Sequence, residues 1–319
     1  MKKNDFKIVF MGTPDFSVTI LNGLLDHHFS IVGVVTTADK PAGRGQKLSE
    51  SAVKKFSYEK GLNIIQPTNL KDEDFLSELR LLKANLFVVV AFRMLPEAVW
   101  NMPSHGTINL HASLLPAYRG AAPINWAIIN GEEKTGVTTF FIEKEIDTGL
   151  VIERESMSIS ENETAGELHD KLMALGSKLV INSVNQIIEG SVKRIPQAQL
   201  MDLTNLKIAP KLFKEQCRID WSLPMEQIHN LSRGLSPYPT AWTILFNESK
   251  NESKTYKIFK TQKTGVKTEG NKVKFEKDGI YIPCLDFYLC VTEIQQEGKK
   301  KCNYKEFIAG YGLNIFSVC

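Results

Sequence analysis

Three short, almost uninterrupted apolar runs most constrain how this chain can fold: Lys7-Ile8-Val9-Phe10-Met11, Ile31-Val32-Gly33-Val34-Val35 and Leu86-Phe87-Val88-Val89-Val90. A strand that is apolar at every position, rather than at alternate ones, is buried on both faces. That is the situation in a parallel sheet covered by helices on either side. The intervening segments have helical signals. Thr13-Pro14-Asp15 opens a helix with Pro in the permitted first turn, and Phe16, Ile20, Leu21, Leu24 and Leu25 follow at helical spacing. Ser51 to Lys60 and Asp72 to Leu82 are predicted helices, with Asn63-Ile64-Ile65 a short strand between them. Further strands are expected at Thr107 to Leu110 and Val137 to Phe141. Thr164 to Glu189 is predicted as one long helix, with Thr164 and Glu167 spaced as a capping box. The expected fold is α/β: a Rossmann-like, mostly parallel sheet with helices on both faces.

From Gly190 to Pro210 periodicity fades, and this stretch is read as a linker. Beyond it come short alternating segments at Tyr256 to Phe259, Lys272 to Phe275, Gly279 to Cys284 and Phe287 to Glu293, as in a small β-barrel. The expected organisation of the 319 residues is therefore 1–189, a linker at 190–209, and a β-rich domain at 210–319. Charge follows the same division. Residues 210–319 hold 17 basic against 12 acidic residues, and the remainder 22 against 24, within a net charge of +3. A polyanion meeting mainly the back half fits this balance, although a run such as Lys299-Lys300-Lys301 also fits a solvated turn. The 5 cysteines never form a C-x-x-C pair, so neither a disulfide scaffold nor a structural zinc site is expected, and the chain reads as a reduced, cytoplasmic protein. No apolar run is long enough to span a membrane, and no apolar core follows the charged first residues as a secretory signal requires.

Gly12-Thr13-Pro14 follows the first strand, where a dinucleotide fold places its glycine-rich turn. Only one glycine is present and no P-loop occurs, which argues against a cofactor held by the usual nucleotide fingerprints. The densest chemistry is Asn109-Leu110-His111-Ala112-Ser113-Leu114-Leu115-Pro116. Strand alternation puts Asn109 and His111 on one face, and strand carboxyl ends line the ligand crevice of an open parallel sheet. An amide donor beside an imidazole suits oxyanion stabilisation and proton movement. A strand end with two satisfied polar groups remains an equally good reading of that pair. Asp147, in Asp147-Thr148-Gly149, is either a turn aspartate or a carboxylate facing His111. His27, His28, His169 and His229 sit on or at the ends of predicted helices and read as structural. No cluster has metal-ligand spacing. The stretch Asp39-Lys40-Pro41-Ala42-Gly43-Arg44-Gly45-Gln46-Lys47 is expected to lack regular structure because of its proline and glycines. Its Lys40, Arg44 and Lys47 suit a phosphate backbone, or merely a solvated loop.

Taken together these residues resemble the methionyl-tRNA formyltransferase branch of the 10-formyltetrahydrofolate-dependent formyltransferases, over nearly the whole chain. Asn109, His111 and Asp147 match the catalytic triplet of the wider family, and Ser113-Leu114-Leu115-Pro116 its folate-side signature. Lys40-Pro41-Ala42-Gly43-Arg44-Gly45 resembles the insertion loop by which the tRNA-acting members reach the acceptor stem. Gly120-Ala121-Ala122-Pro123-Ile124 and Leu235 to Trp242 also fit. The resemblance implies an OB-fold-like C-terminal tRNA-binding domain behind a catalytic domain. It implies 10-formyltetrahydrofolate as formyl donor, initiator Met-tRNA as acceptor, tetrahydrofolate as product, no metal, and a monomer. Folate contacts are expected from Ser113, Leu114, Leu115, Pro116, Phe92 and Met94, and tRNA contacts from Lys40, Arg44 and Lys47. One departure is visible: Arg93 stands where the family usually has glycine, and would be strained if that backbone needs positive φ. A formyltransferase acting on a sugar nucleotide or glycinamide ribonucleotide would share the triplet but not the basic loop and back end. A non-catalytic RNA-binding protein would have no need of the triplet.

Overall fold

The computed structural model describes residues 3–42, 47–312 and 314–318. The chain divides into two compact units, 1–120 with 136–157 and 169–208, and 121–135 with 158–168 and 209–319.

The first unit is built on strands β1 (Lys7–Gly12), β2 (Ser30–Val35), β5 (Ile64–Ile65), β6 (Leu86–Val90), β7 (Thr107–His111), β9 (Lys134–Phe141) and β10 (Val151–Ser158). Two short strands, β3 (Lys40–Ala42) and β4 (Lys47–Ser49), stand apart from this sheet, as does β8 (Arg119–Gly120). The sheet order is β10-β9-β7-β6-β1-β2-β5. Pairing is parallel from β7 through β6, β1 and β2 to β5, and turns antiparallel between β7 and β9. The apolar runs are central for the reason the sequence suggests: every residue of β6 is buried, and all of β1 but Lys7. Helices α1 (Asp15–Asp26), α2 (Ala52–Glu59), α3 (Glu73–Leu81) and α4 (Glu97–Trp100) connect them, α5 (Pro123–Ile129) falls in the second unit, and most of α6 (Ala165–Glu189) in the first. On one face Phe75, Leu76 and Leu79 of α3 pack with Val9, Met11, Val35, Phe87 and Val89. On the other, Gly23 of α1 lies against Ser177 of α6, and Gly176 of α6 against Leu110 of β7. Each buried Leu or Val of this kind stabilises the fold by about 1.5–3 kcal/mol. The capping signals are used: the Ser51 hydroxyl accepts from the Lys54 N–H at 3.0 Å, and Thr164 and Glu167 bond reciprocally.

The segment Asp39 to Lys47 corrects one expectation. Rather than lacking regular structure, Lys40–Ala42 and Lys47–Ser49 pair antiparallel, with Pro41 opposite Leu48. A two-stranded ribbon has a free edge on each side, so Pro41 can sit in it without removing a ladder bond.

In the second unit, β11 (Ile208–Ala209) and α7 (Met225–Gly234) lead into β12 (Ala241–Asn247), β13 (Glu252–Lys267), β14 (Lys274–Glu276), β15 (Gly279–Pro283), β16 (Phe287–Gln296), β17 (Cys302–Asn303), α8 (Tyr304–Tyr311) and β18 (Phe316–Val318). The sheet runs β14-β15-β16-β13-β12-β18, with β17 on β16. It curls until the residues preceding β14 meet β18: the Val273 N–H donates to the Phe316 carbonyl at 2.8 Å. The result is a curled, partly closed antiparallel barrel, consistent with an OB-like fold. Tyr256, Ile258, Leu289, Val291, Phe307 and Phe316 fill it. Among the described residues no helix is long and apolar enough to cross a membrane.

Candidate active site

Strand β7 ends in Asn109-Leu110-His111, at the carboxyl end it shares with its parallel neighbour β6. Asn109 is half-buried and His111 is 6% exposed. The His111 ring is held at one nitrogen and faces a carboxylate with the other. Nε2 stands 2.8 Å from the Tyr118 carbonyl oxygen. A carbonyl only accepts, so Nε2 carries the hydrogen and Nδ1 is left for chemistry. Nδ1 faces Asp147 Oδ2 at 3.7 Å, with the two side chains 7% and 13% exposed. That spacing exceeds a direct hydrogen bond. Oδ2 also accepts from the Gly120 N–H at 2.9 Å. Asp147 is thus held against the backbone that follows Tyr118, in a left-handed conformation with φ 56°.

The turn beyond His111 is braced internally. The Ser113 hydroxyl donates to the Ala117 carbonyl at 2.7 Å, and the Thr138 hydroxyl donates to the Ser113 carbonyl at 2.6 Å. Thr138 in turn accepts from the Leu115 N–H at 3.1 Å, and Arg154 Nη1 donates to the Leu115 carbonyl at 2.9 Å. Ser113, Leu115 and Pro116 are buried and Leu114 is half-buried. Leu115 packs with Phe140 and Val151. With its hydroxyl spent on a carbonyl, Ser113 is poorly placed to act as a nucleophile.

Phe92 is half-buried and Met94 is 71% exposed. The strain expected at Arg93 falls elsewhere: positive φ is found at Ala91, 46°, and not at Arg93. The Arg93 guanidinium donates to the carbonyls of Pro67 and Thr68, and burial lowers its pKa. Arginine is accommodated because the left-handed residue is two places earlier and because its side chain has carbonyl partners.

The sequence matches the formyl transferase family over residues 6–184, and the formyl transferase C-terminal domain over residues 211–312. It is 49% identical over 316 residues to the methionyl-tRNA formyltransferase of Bacteroides fragilis, covering 98% of this chain and 97% of that protein. The methionyl-tRNA formyltransferase of Flavobacterium johnsoniae is 50% identical over 306 residues, 95% of this chain and 96% of that one. The chain belongs to the methionyl-tRNA formyltransferase family. Among solved structures, the sugar 3N-formyl transferase WlaRD, crystallised with dTDP and 5-N-formyl-THF, has the same fold. Its TM-score is 0.66 at 22% identity, over 92% of this chain and 99% of that one. HypX from Aquifex aeolicus in complex with tetrahydrofolic acid gives a TM-score of 0.64 at 17% identity, over 94% of this chain and 46% of that one.

Of the basic residues marked in the sequence of this family member, Lys40 is exposed and Lys47 lies on β4, whereas Arg44 is outside the described residues. Asp39, beside them, is tied to Lys54 and to Gln66, whose Nε2 donates at 2.9 Å; these bonds hold its carboxyl below the usual range. In the second unit, Trp242 lies under Lys214 and Arg218, at 5.8 and 5.7 Å, and opposite Lys257 in the strand ladder. Sequence reasoning missed the Tyr118 carbonyl and the Gly120 N–H, because backbone groups leave no mark in residue type. Among the described residues no group of three His, Cys, Asp or Glu is placed to hold a metal.

Proposed function

We propose that this chain transfers the formyl group of 10-formyltetrahydrofolate to the α-amino group of methionine on initiator Met-tRNA, with Asn109, His111 and Asp147 as its reacting groups. Membership of the family gives the reaction. The observation that supports these residues is Asp147 Oδ2 at 3.7 Å from His111 Nδ1, with Nε2 already committed to the Tyr118 carbonyl. Two acceptors facing each other, both side chains largely buried, form a cradle for one proton. The neutral amine attacks the formyl carbon, and negative charge grows on the formyl oxygen as the tetrahedral centre forms. The Asn109 amide donates to that oxygen from the same strand face. His111 donates only from Nδ1 and only when that atom is protonated, and the facing Asp147 carboxylate supplies the matching negative charge. The proton lost by the amine reaches this pair directly or through one water and is returned to the departing folate nitrogen. No covalent enzyme intermediate is needed.

The braced turn Ser113-Leu114-Leu115-Pro116, together with Phe92 and Met94, borders the folate in this reading. Lys40, Arg44 and Lys47 meet tRNA phosphate. Residues 210–319 add affinity through basic groups set beside aromatic rings: Lys211 over Phe213, which is 57% exposed, and Lys214 and Arg218 over Trp242. Such interleaving suits phosphates and unpaired bases together. The chain acts as a monomer in the cytoplasm. The test offers Met-tRNA, glycinamide ribonucleotide and a 4-amino sugar nucleotide in parallel with 10-formyltetrahydrofolate. Transfer to Met-tRNA alone is expected; preferential transfer to either small acceptor overturns the reading.

A further inference from the structure

Gln197 comes from a stretch of sequence with no periodicity, yet its side chain makes four hydrogen bonds while only 4% exposed. Its Nε2 donates to the carbonyls of Asp147 and Gly149, at 2.8 and 3.0 Å. Its Oε1 accepts from Arg119 Nε and Nη2, at 3.1 and 2.6 Å. Carbonyls only accept and a guanidinium only donates, so the chemistry fixes which way the amide points. Only glutamine or asparagine offers two N–H donors on one nitrogen beside a carbonyl acceptor, and asparagine is a methylene too short for this reach.

We infer that Gln197 is a positioning residue that holds Asp147 in register with His111. The bonds form a closed ring. The Gly120 N–H binds Asp147 Oδ2, the Asp147 carbonyl binds Gln197 Nε2, Gln197 Oε1 binds Arg119, and Arg119 is covalently joined to Gly120. A non-glycine residue at φ 56° persists only where its surroundings enforce it. The ring grips Asp147 at its carboxylate and at its carbonyl. Gln197 is itself anchored: Ile195 exchanges two backbone bonds with Val151, each 2.9 Å, and Ile195 and Leu200 pack on Leu115, Phe140 and Val151. Glutamate at 197 would keep the Arg119 bonds but lose both donors and set a carboxylate against two carbonyl oxygens. Leucine would remove all four bonds.

The inference rests on the reading of Asp147 as the partner of His111, and the experiment separates the two. kcat and both KM values for Met-tRNA formylation are measured on the full chain and on Gln197→Glu, Gln197→Leu, Asp147→Asn and Asp147→Asn/Gln197→Leu. Misplacing a reacting group by about 1 Å can slow a reaction about a hundredfold. Gln197→Glu and Gln197→Leu should therefore lower kcat by roughly tenfold to a hundredfold, with each KM within about threefold. The double variant should be no slower than Asp147→Asn alone, within about threefold, because the group being positioned is gone. If Gln197→Leu does not fold, Arg119→Gln, which removes the guanidinium fork, should show a smaller fall in kcat with the same non-additivity. Unchanged kcat in the Gln197 variants, a KM effect alone, or losses that multiply in the double variant overturn the inference while leaving Asp147 in its role. An Asp147→Asn chain as fast as the unmodified one overturns the reading of Asp147, and the inference with it.

Discussion

Gly149→Ala introduces one methyl group two residues after Asp147, and the structure says how far the loop must move to admit it. A Cβ built on Gly149 lies 1.8 Å from the Phe141 carbonyl oxygen. Ordinary carbon–oxygen contacts are about 3.3 Å or longer, so roughly 1.5 Å must be found. Phe141 cannot supply it, because it pairs with Ile108 in the sheet and its N–H donates to the Leu150 carbonyl at 2.9 Å. The loop gives instead, and Asp147 Oδ2 leaves its place 3.7 Å from His111 Nδ1. A displacement of about 1 Å can slow a reaction about a hundredfold, some 2.7 kcal/mol in the barrier. Overpacking should also lower stability by about 1–3 kcal/mol. Steady-state formylation of Met-tRNA, with a thermal melt alongside, reads both effects. kcat should fall by about two orders of magnitude, with KM values changed by less than about threefold. Gly190→Ala is the control: Gly190 has φ 71° but nothing within 4 Å of its Cβ direction, so stability should drop slightly and kcat should hold. If Gly149→Ala retains kcat within about threefold, or Gly190→Ala loses as much, the geometry between Asp147 and His111 does not govern the rate.

His111→Ala should lower kcat by about two to three orders of magnitude, on the scale of a lost oxyanion donor, about 2.7–4 kcal/mol; a loss under about tenfold makes His111 a packing residue. Replacing Lys211 and Lys214 together by Ala should weaken tRNA binding and flatten the log–log salt dependence by roughly one unit per lost phosphate contact, with folate binding unchanged; equal slopes would mean that these lysines only face solvent. His229 is 1% exposed, and burial, ahead of the positive charges of Arg233 and Lys263, lowers its pKa. The unfolded chain takes up a proton there near pH ~6.5 and the folded chain resists it, so stability should hold above that pH and fall as the pH drops through it. His229→Gln should flatten the fall in Tm between pH 7 and pH 5, and an unaltered profile would assign the acid sensitivity elsewhere.

Legibility in the sequence follows what each residue has to satisfy. The runs at Ile8 and Leu86 announce a doubly covered sheet because burial on both faces permits little else, and the run at Ile31 joins them although its first residues are half-buried. Strand β12 shows how the same logic can be hidden. Its buried face is Ala241, Thr243, Leu245 and Asn247, while Trp242, Ile244 and Phe246 face outward, half-buried, so apolar residues alternate on the wrong side. Thr243 tolerates the interior because its hydroxyl accepts from Trp221 Nε1 at 2.8 Å, a partner that is not adjacent in sequence. Strand β13 is longer than its apolar stretch suggests because its second half is mostly polar and its last three residues, through Lys267, are exposed. In the site the division is similar. The proposed reacting groups Asn109, His111 and Asp147 are residue types suited to proton transfer and oxyanion stabilisation, and strand alternation places the first two together, but taken alone each has an equally good structural reading until the family resemblance is added. What holds them does not stand out. Tyr118, Gly120 and Gln197 act by reaching backbone atoms or by being them. Every residue has a carbonyl, so the Gln197 bonds to Asp147 and Gly149, 50 and 48 positions away, leave no trace in composition or spacing. Chemistry constrains the identity of the groups that react, whereas positioning constrains only where the chain passes, and that is settled by folding.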